Sequence, residues 1–369
     1  MNTDYPEVNI VGPDTIKVVF APFVYPGGYN ITCKNKNDGS VSVKTITGGN
    51  GGYTYKWYPA VGTLTVSTNT SLLDSVPAGK YYLLTTDRLL CTKLDSVTLT
   101  EPSGMQLIGS ELSTSNDGNT NVSCNGGNDG YIKLSITGGS GNNSYSWISS
   151  NGYTGSTKDI FGLKAGDYVA TVTDQTGCVL RLMPGSVLPK FTLTEPTPLS
   201  VVGTTSTSAD GAYNINCNGG KTGWINILVS GGSAGTYKYN WSTTDGSGIV
   251  NGQKNQSSLS AGTYNLSVTD SNDCGTTKSF TLTQPPALAT QISATNVTCL
   301  SPGFNNGSLN LTVSGGVAPY SYLWSNGAVT EDINGLTQGL YQVIVTYNGS
   351  CSKKDSARIN VPPPLKYSR

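Results

Sequence analysis

The sequence predicts an all-β chain built as a tandem array of antiparallel sandwich domains, and three observations carry that prediction. Gly is counted at 46 and Tyr at 21 against only 6 Phe, Ser, Thr and Asn abound, and good helix formers are scarce in every window. Such a composition suits short strands joined by tight turns. Apolar residues alternate with polar ones: Ile132, Leu134 and Ile136 with Lys133, Ser135 and Thr137, and likewise Ile225, Ile227, Val229 and Leu309, Leu311, Val313. Period two with one apolar face marks a half-buried strand. The pattern then recurs four times, beginning near Cys33, Cys124, Cys217 and Cys299, at periods of 91, 93 and 82 residues. Those periods are domain-sized, too long for a solenoid repeat, and 369 residues are too many for one ordinary core.

Each copy runs through the same elements in order. A strand is predicted to end at the first cysteine, followed by a glycine turn and the alternating strand, which ends in Gly-Gly. In the first copy that strand reads Val41, Val43, Ile46, one residue longer before Gly48, and the extra residue is assigned to a bulge. A Tyr-x-Trp strand comes next. Its Trp57, Trp147, Trp241 and Trp324 match the buried tryptophan of immunoglobulin-like sandwiches. A variable loop leads to a corner such as LKAGDY, whose Tyr81, Tyr168, Tyr264 and Tyr341 match the tyrosine corner of that fold. Then follow a strand, a turn holding the second cysteine, and a last strand running into proline, as in TLTEP at 98–102 and again at 192–196. Proline cannot donate to a ladder, so these motifs close the domains. The repeats are therefore set at 13–102, 103–196, 197–286 and 287–369. Residues 1–12 are read as the final strand of a preceding repeat, because VNIVGPDTIKV resembles ARINVPPPLKY. The expected assembly is a rod-like array.

Eight cysteines allow 105 pairings, but each copy holds two: Cys33 and Cys91, Cys124 and Cys178, Cys217 and Cys274, Cys299 and Cys351. Pairing within copies is the economical expectation, one bridge per repeat, tying the end of the first strand to the turn before the last and stopping extension under load. Such bridges need an oxidising compartment. Zinc does not fit, since there is no CxxC and no histidine.

Composition also excludes functions. Lys+Arg and Asp+Glu cancel at 22 each and charged residues are 12%, so no basic block exists to follow nucleic acid. Without histidine a Ser/His/Asp or Cys/His site is impossible, and the chain is expected not to be an enzyme. No apolar run approaches the ~20 residues of a transmembrane segment. No cofactor is implied. Calcium at Asp87, Asp174 and Asp270, which fall at equivalent domain ends, is the lesser alternative; turn capping accounts for these residues without the six to eight oxygens calcium requires. The tyrosines beside the tryptophans, Tyr53 and Tyr55, Tyr237 and Tyr239, Tyr320 and Tyr322, share a strand parity. They open an alternative function, a carbohydrate-binding array of a secreted polysaccharide-degrading or fibre protein, although a core role for the strand is preferred.

CNGGNDGYIKLSITGGSGNNSYSW followed by LKAGDYVATVTDQTGC and FTLTEP resembles the SprB-type repeat of cell-surface adhesins in gliding Bacteroidetes, over nearly the whole chain. Departures touch turns: the Asp-Gly at 38 and 129 becomes Thr222-Gly223 and Asn306-Gly307, Asp174 is matched by Tyr347, and the second copy has extra residues after Cys178. The resemblance implies an extracellular stalk segment of a secreted filament, exported by the type IX route and serving surface attachment and gliding motility. Its implied partners are neighbouring repeats, the gliding and secretion machinery, and a substratum or surface polysaccharide contacted by other parts of the filament.

Overall fold

The computed structural model describes residues 12, 14–61, 67–180, 190–298, 303, 305–348 and 350–363. The chain divides into two compact units, Met1–Glu195 and Pro196–Arg369, each holding two copies. The strand read at 1–12 lies outside the described residues, Gly12 excepted, as do the extra residues of the second copy at 181–189.

The first copy contains β1 (Lys17–Pro22), β2 (Gly39–Thr47), β3 (Thr54–Pro59), β4 (Ser67–Thr68), β5 (Leu72–Val76), β6 (Gly79–Thr86) and β7 (Thr92–Leu99). They form two antiparallel sheets, β1-β2-β5 and β4-β3-β6-β7. The other copies repeat this order, and among the described residues only the second has a counterpart of β4, Thr154–Gly155. Inward residues of both sheets build one core per copy; in the second copy it comprises Ile132, Leu134, Trp147, Ile160, Leu163, Tyr168 and their neighbours. This is the predicted immunoglobulin-like sandwich. The predicted bulge is present: Val19 pairs with Thr45 and Phe20 with Val43, leaving Lys44 over.

Strand direction fixes two poles in each copy. The Gly49 amide donates to Asp14 O at 2.7 Å and the Arg88 amide to Gly51 O at 2.9 Å, so the start of β1, the Gly-Gly turn and the β6–β7 turn share an entry pole. At the other end the amides of Asn30 and Ile31 donate to Thr100 O at 2.9 and 3.1 Å, which places the β1–β2 connection beside the chain's exit. The expectation of a strand ending at the first cysteine is corrected here. β1 stops at Pro22, and Cys33 lies in the long connection that follows.

Candidate functional site: the bridged junctions between repeats

A four-residue pattern positions the first cysteine: NITC at 30–33, NVSC at 121–124, NINC at 214–217 and NVTC at 296–299. The second residue is a core plug, Ile31, Val122, Ile215 and Val297 being at most 1% exposed. The asparagine ties the connection to the strand end beyond β7. Asn30 Oδ1 accepts from Thr100 N at 2.9 Å, Asn121 Oδ1 from Thr194 N at 2.9 Å, Asn214 Oδ1 from Thr283 N at 2.8 Å and Asn296 Oδ1 from Asn360 N at 2.8 Å. The residue just before the cysteine is held by an oxygen from the variable turn. The amides of Thr32, Ser123, Asn216 and Thr298 donate to Asp38, Asp129, Thr222 and Asn306 at 3.0–3.1 Å. The Asp, Thr and Asn seen at this turn position are thus interchangeable because each supplies an acceptor. The glycine that follows them is required for space, since a Cβ on Gly39 would stand 2.7 Å from Val76 O.

The second cysteine is set by a buried carboxylate. Asp174 accepts from the amides of Ser140, Thr176 and Cys178 at 2.9–3.0 Å, Asp87 from Asn50, Leu89 and Cys91 at 2.9–3.0 Å, and Asp270 from Ser233, Asn272 and Cys274 at 2.7–3.0 Å. Burial pushes the Asp174 carboxyl up, but the Ser140 and Cys178 amides and the Thr176 hydroxyl outweigh it and hold it below 3.8. The same contest lowers Asp87. Each carboxylate lies against the second glycine of Gly-Gly, where φ is positive and a Cβ on Gly232 would approach Asp270 Oδ2 to 2.6 Å. In the fourth copy Tyr347, 3% exposed, fills this position with its ring.

The bridges join neighbouring copies. Cys33 of the first bonds Cys178 of the second (Cα–Cα 5.7 Å), and Cys217 of the third bonds Cys351 of the fourth (Cα–Cα 5.5 Å). Cys124 and Cys274 are also disulfide-bonded, whereas Cys91 is free and exposed; Cys299 lies outside the described residues. The expected within-copy pairing is thereby corrected, and the reason is strand parity. Cys33 sits at the exit pole and Cys91 at the entry pole, with the 8 residues of β7 spanning about 25 Å between them at ~3.3 Å per residue. A disulfide needs Cα atoms within roughly 7 Å.

At the first junction Thr176 Oγ1 lies 3.0 Å from Thr32 O and 2.8 Å from Asp174 Oδ1, sharing one proton between them. Gly27 packs so closely on the second copy that a Cβ there would stand 2.3 Å from Ser140 O, and its φ of +94° also favours glycine. At the second junction the Asn218 amide donates to the Tyr347 hydroxyl at 3.3 Å, and Asn348 Nδ2 donates to Asp210 Oδ2 at 3.1 Å.

The other candidate residues serve the core. Trp57, Trp147, Trp241 and Trp324 are at most 3% exposed, and their indole N–H groups donate to Thr70 O, Thr157 O, Gln253 O and Thr330 O at 2.9–3.2 Å. The hydroxyls of Tyr81, Tyr168, Tyr264 and Tyr341 donate to Pro77 O, Lys164 O, Ser260 O and Thr337 O at 2.8–3.2 Å, each closing its corner. Of the possible aromatic platform, Tyr55, Tyr239 and Tyr322 pack against the cores. Tyr53, Tyr237 and Tyr320 donate to Gly48 O, Gly231 O and Gly315 O of the Gly-Gly turns. Among the described residues no cluster of three or more His, Cys, Asp or Glu could hold a metal, and no helix is long and apolar enough to cross a membrane.

No curated protein matches the chain. Solved structures with similar chains include a Ca2+-stabilized adhesin that helps an Antarctic bacterium reach out and bind ice (15% identity, 88% of this chain and 94% of that one, TM-score 0.35). Others are a tetra-tandem repeat in the extending region of a large adhesion protein (13% identity, 88% and 96%, TM-score 0.28) and the N-terminal eight Ig domains of Down Syndrome Cell Adhesion Molecule isoform 1.30.30 (15% identity, 94% and 50%, TM-score 0.24). This chain spans half the length of the last. The SprB repeat family model matches at 29–62, 119–152, 212–246 and 292–329, each match including the first cysteine and the tryptophan strand. Four SprB repeats are thus detected along the chain, one in each copy.

Proposed function

We propose that this array is a load-bearing, non-enzymatic stalk segment of a secreted cell-surface adhesin filament used in surface attachment and gliding. The observation that supports this reading is the placement of the bridges between successive repeats. From Cys33 the covalent path crosses to Cys178, and from Cys217 to Cys351, so tension passes around most of two sandwiches at each step. A disulfide frame of this kind suits an oxidising exterior. Of the tyrosines that could form a sugar platform, Tyr53, Tyr237 and Tyr320 spend their hydroxyls on backbone carbonyls.

In the producing bacterium, Cys33→Ser together with Cys217→Ser should lower the shear at which cells detach and slow gliding. Unchanged attachment and gliding in a strain lacking the whole array would overturn the proposal. The isolated chain should be silent on a glycan array; specific binding there would favour a carbohydrate-binding array.

A further inference from the structure

The entry pole of the first repeat carries the same apparatus as the entry poles that are bridged, yet its cysteine is free. Asp87 holds the Cys91 amide as Asp174 holds that of Cys178, both at 2.9–3.0 Å. In the second repeat the two residues before the cysteine are Thr176, whose hydroxyl reaches Thr32 O of the first repeat, and Gly177. Their counterparts are Leu89 and Leu90, 63% and 81% exposed, with Leu90 in the left-handed region at φ 64°. Two exposed leucines and a thiol therefore occupy the surface that the second repeat gives to its predecessor. Copies two and four, with unlike turn residues, both take the first cysteine of the repeat before them.

We propose that Cys91 is the receiving thiol of a further inter-repeat disulfide, and that its partner is the Asn-(Ile/Val)-x-Cys cysteine at the exit pole of another SprB repeat placed N-terminal to it, with Leu89 and Leu90 covered in the same contact. The bond forms by thiol–disulfide exchange. One thiolate attacks a low-molecular-weight disulfide oxidant, releasing a thiol, and the second thiolate then attacks the mixed disulfide, releasing another. Two protein thiols are oxidised and one oxidant disulfide is reduced to two thiols. The inference rests on repeat geometry alone and stands whether or not the filament serves gliding.

The test extends the full chain by one repeat. Residues 197–286, carrying Cys274→Ser, are placed directly before Asp14 in place of residues 1–13, and the protein is oxidised with glutathione disulfide. Non-reducing peptide mapping should find Cys91 linked to the appended Cys217, with iodoacetamide labelling of Cys91 reduced about tenfold or more relative to the unextended chain. Adding Cys217→Ser in the appended repeat should restore the labelling. The native Cys33–Cys178 and Cys217–Cys351 bridges in the same digest report that the extended chain has folded. If they are present while Cys91 stays alkylatable, or if Cys91 is protected without the appended Cys217, the proposal is wrong. Should that extension misfold, residues 14–102 with Cys91→Ser serve as the appended repeat, its Cys33 being the expected partner and the same outcomes deciding.

Discussion

The junctions bridged by Cys33–Cys178 and by Cys217–Cys351 make the same bond with different local supports. At the first, Cys178 follows a turn gathered around the Asp174 carboxylate, which takes three backbone amides. At the second, Tyr347 stands where that carboxylate would be, against the second glycine of Gly-Gly. Tyr347 pairs directly with Cys351 in the ladder, and its hydroxyl reaches across to the Asn218 amide of the preceding repeat. A charged turn and an aromatic strand end thus deliver a cysteine to one place, with Cα–Cα distances of 5.7 and 5.5 Å. The pairing is set by which pole each cysteine occupies, and the turn chemistry only holds it there.

The largest test of that equivalence is mechanical. With the bridges intact, the sequence separations of 145 and 134 residues should stay outside the load path in single-molecule pulling. Reduction should release up to about 490 Å and 455 Å of contour at ~3.4 Å per residue, before subtracting the folded span. In the chain-entropy account the longer loop corresponds to about 5 kcal/mol of stabilisation. Equal unfolding lengths with and without reductant would mean that neither junction carries load through its bridge.

Removing the supports should separate the junctions. Asp174→Ala leaves the Ser140, Thr176 and Cys178 amides without their acceptor and should cost about 3 kcal/mol at the turn, read as faster hydrogen exchange of the Cys178 amide. Tyr347→Phe keeps the ring in its buried slot and loses one long hydrogen bond, so about 0.5–1 kcal/mol is expected at Cys351. Comparable losses at both sites would contradict the claim that the two supports differ in kind.

Acid should act on the same difference. The folded Asp174 carboxyl titrates below its ordinary 3.8, so its contribution is complete above the unfolded value and disappears as pH falls through the folded one. Amide shifts around Cys178 should therefore move below about pH 4, while those of Cys351 move less. Asp210, held low first by the Ser208 hydroxyl, touches that junction only through an exposed bond to Asn348. A larger acid response at Cys351 would reverse the assignment.

What could be seen in advance follows from how local each signal is. Alternation and the Tyr-x-Trp strand are short-range patterns, and the sandwich with its buried Trp147 lies within them. Pairing of cysteines depends instead on how many times the chain crosses the domain between them. That count turns on a return crossing made in the variable loop, where the sequence has no periodic signal and the first copy has, among its described residues, only the two-residue β4. Missing it puts Cys33 and Cys91 at one pole. The Asn-(Ile/Val)-x-Cys pattern recurs four times and was legible, but Asn30 and Asn121 also begin Asn-x-Ser/Thr triplets in an Asn-, Ser- and Thr-rich chain, so their bond to the exit strand was hidden in composition.

The smallest expected effect compares the third and fourth repeats at a place remote from the bridges. In the third, the strand Gln256–Leu259 slips register against Gly223–Ser230, and in the fourth Ile333–Leu336 does so against Gly307–Ser314. Each slip places one residue in the left-handed region, Ser258 at φ 57° and Gly335 at φ 63°. A side chain there costs about 1–2 kcal/mol, offset by the ~0.5–1 kcal/mol of extra freedom that glycine loses on folding. Ser258→Gly should then stabilise its repeat by about 0.5–1 kcal/mol, and Gly335→Ser should destabilise its own by a similar amount. Space does not confuse the second change, because the nearest atom to a Cβ on Gly335 is Asn305 O at 3.9 Å. Thermal unfolding followed by near-UV signals of Trp241 and Trp324 would read the two repeats separately when the other tryptophans are replaced by Phe. Opposite signs would show that the repeats share one backbone geometry to which glycine is better fitted. If Ser258→Gly destabilises, the serine side chain does something at that bulge beyond tolerating its φ.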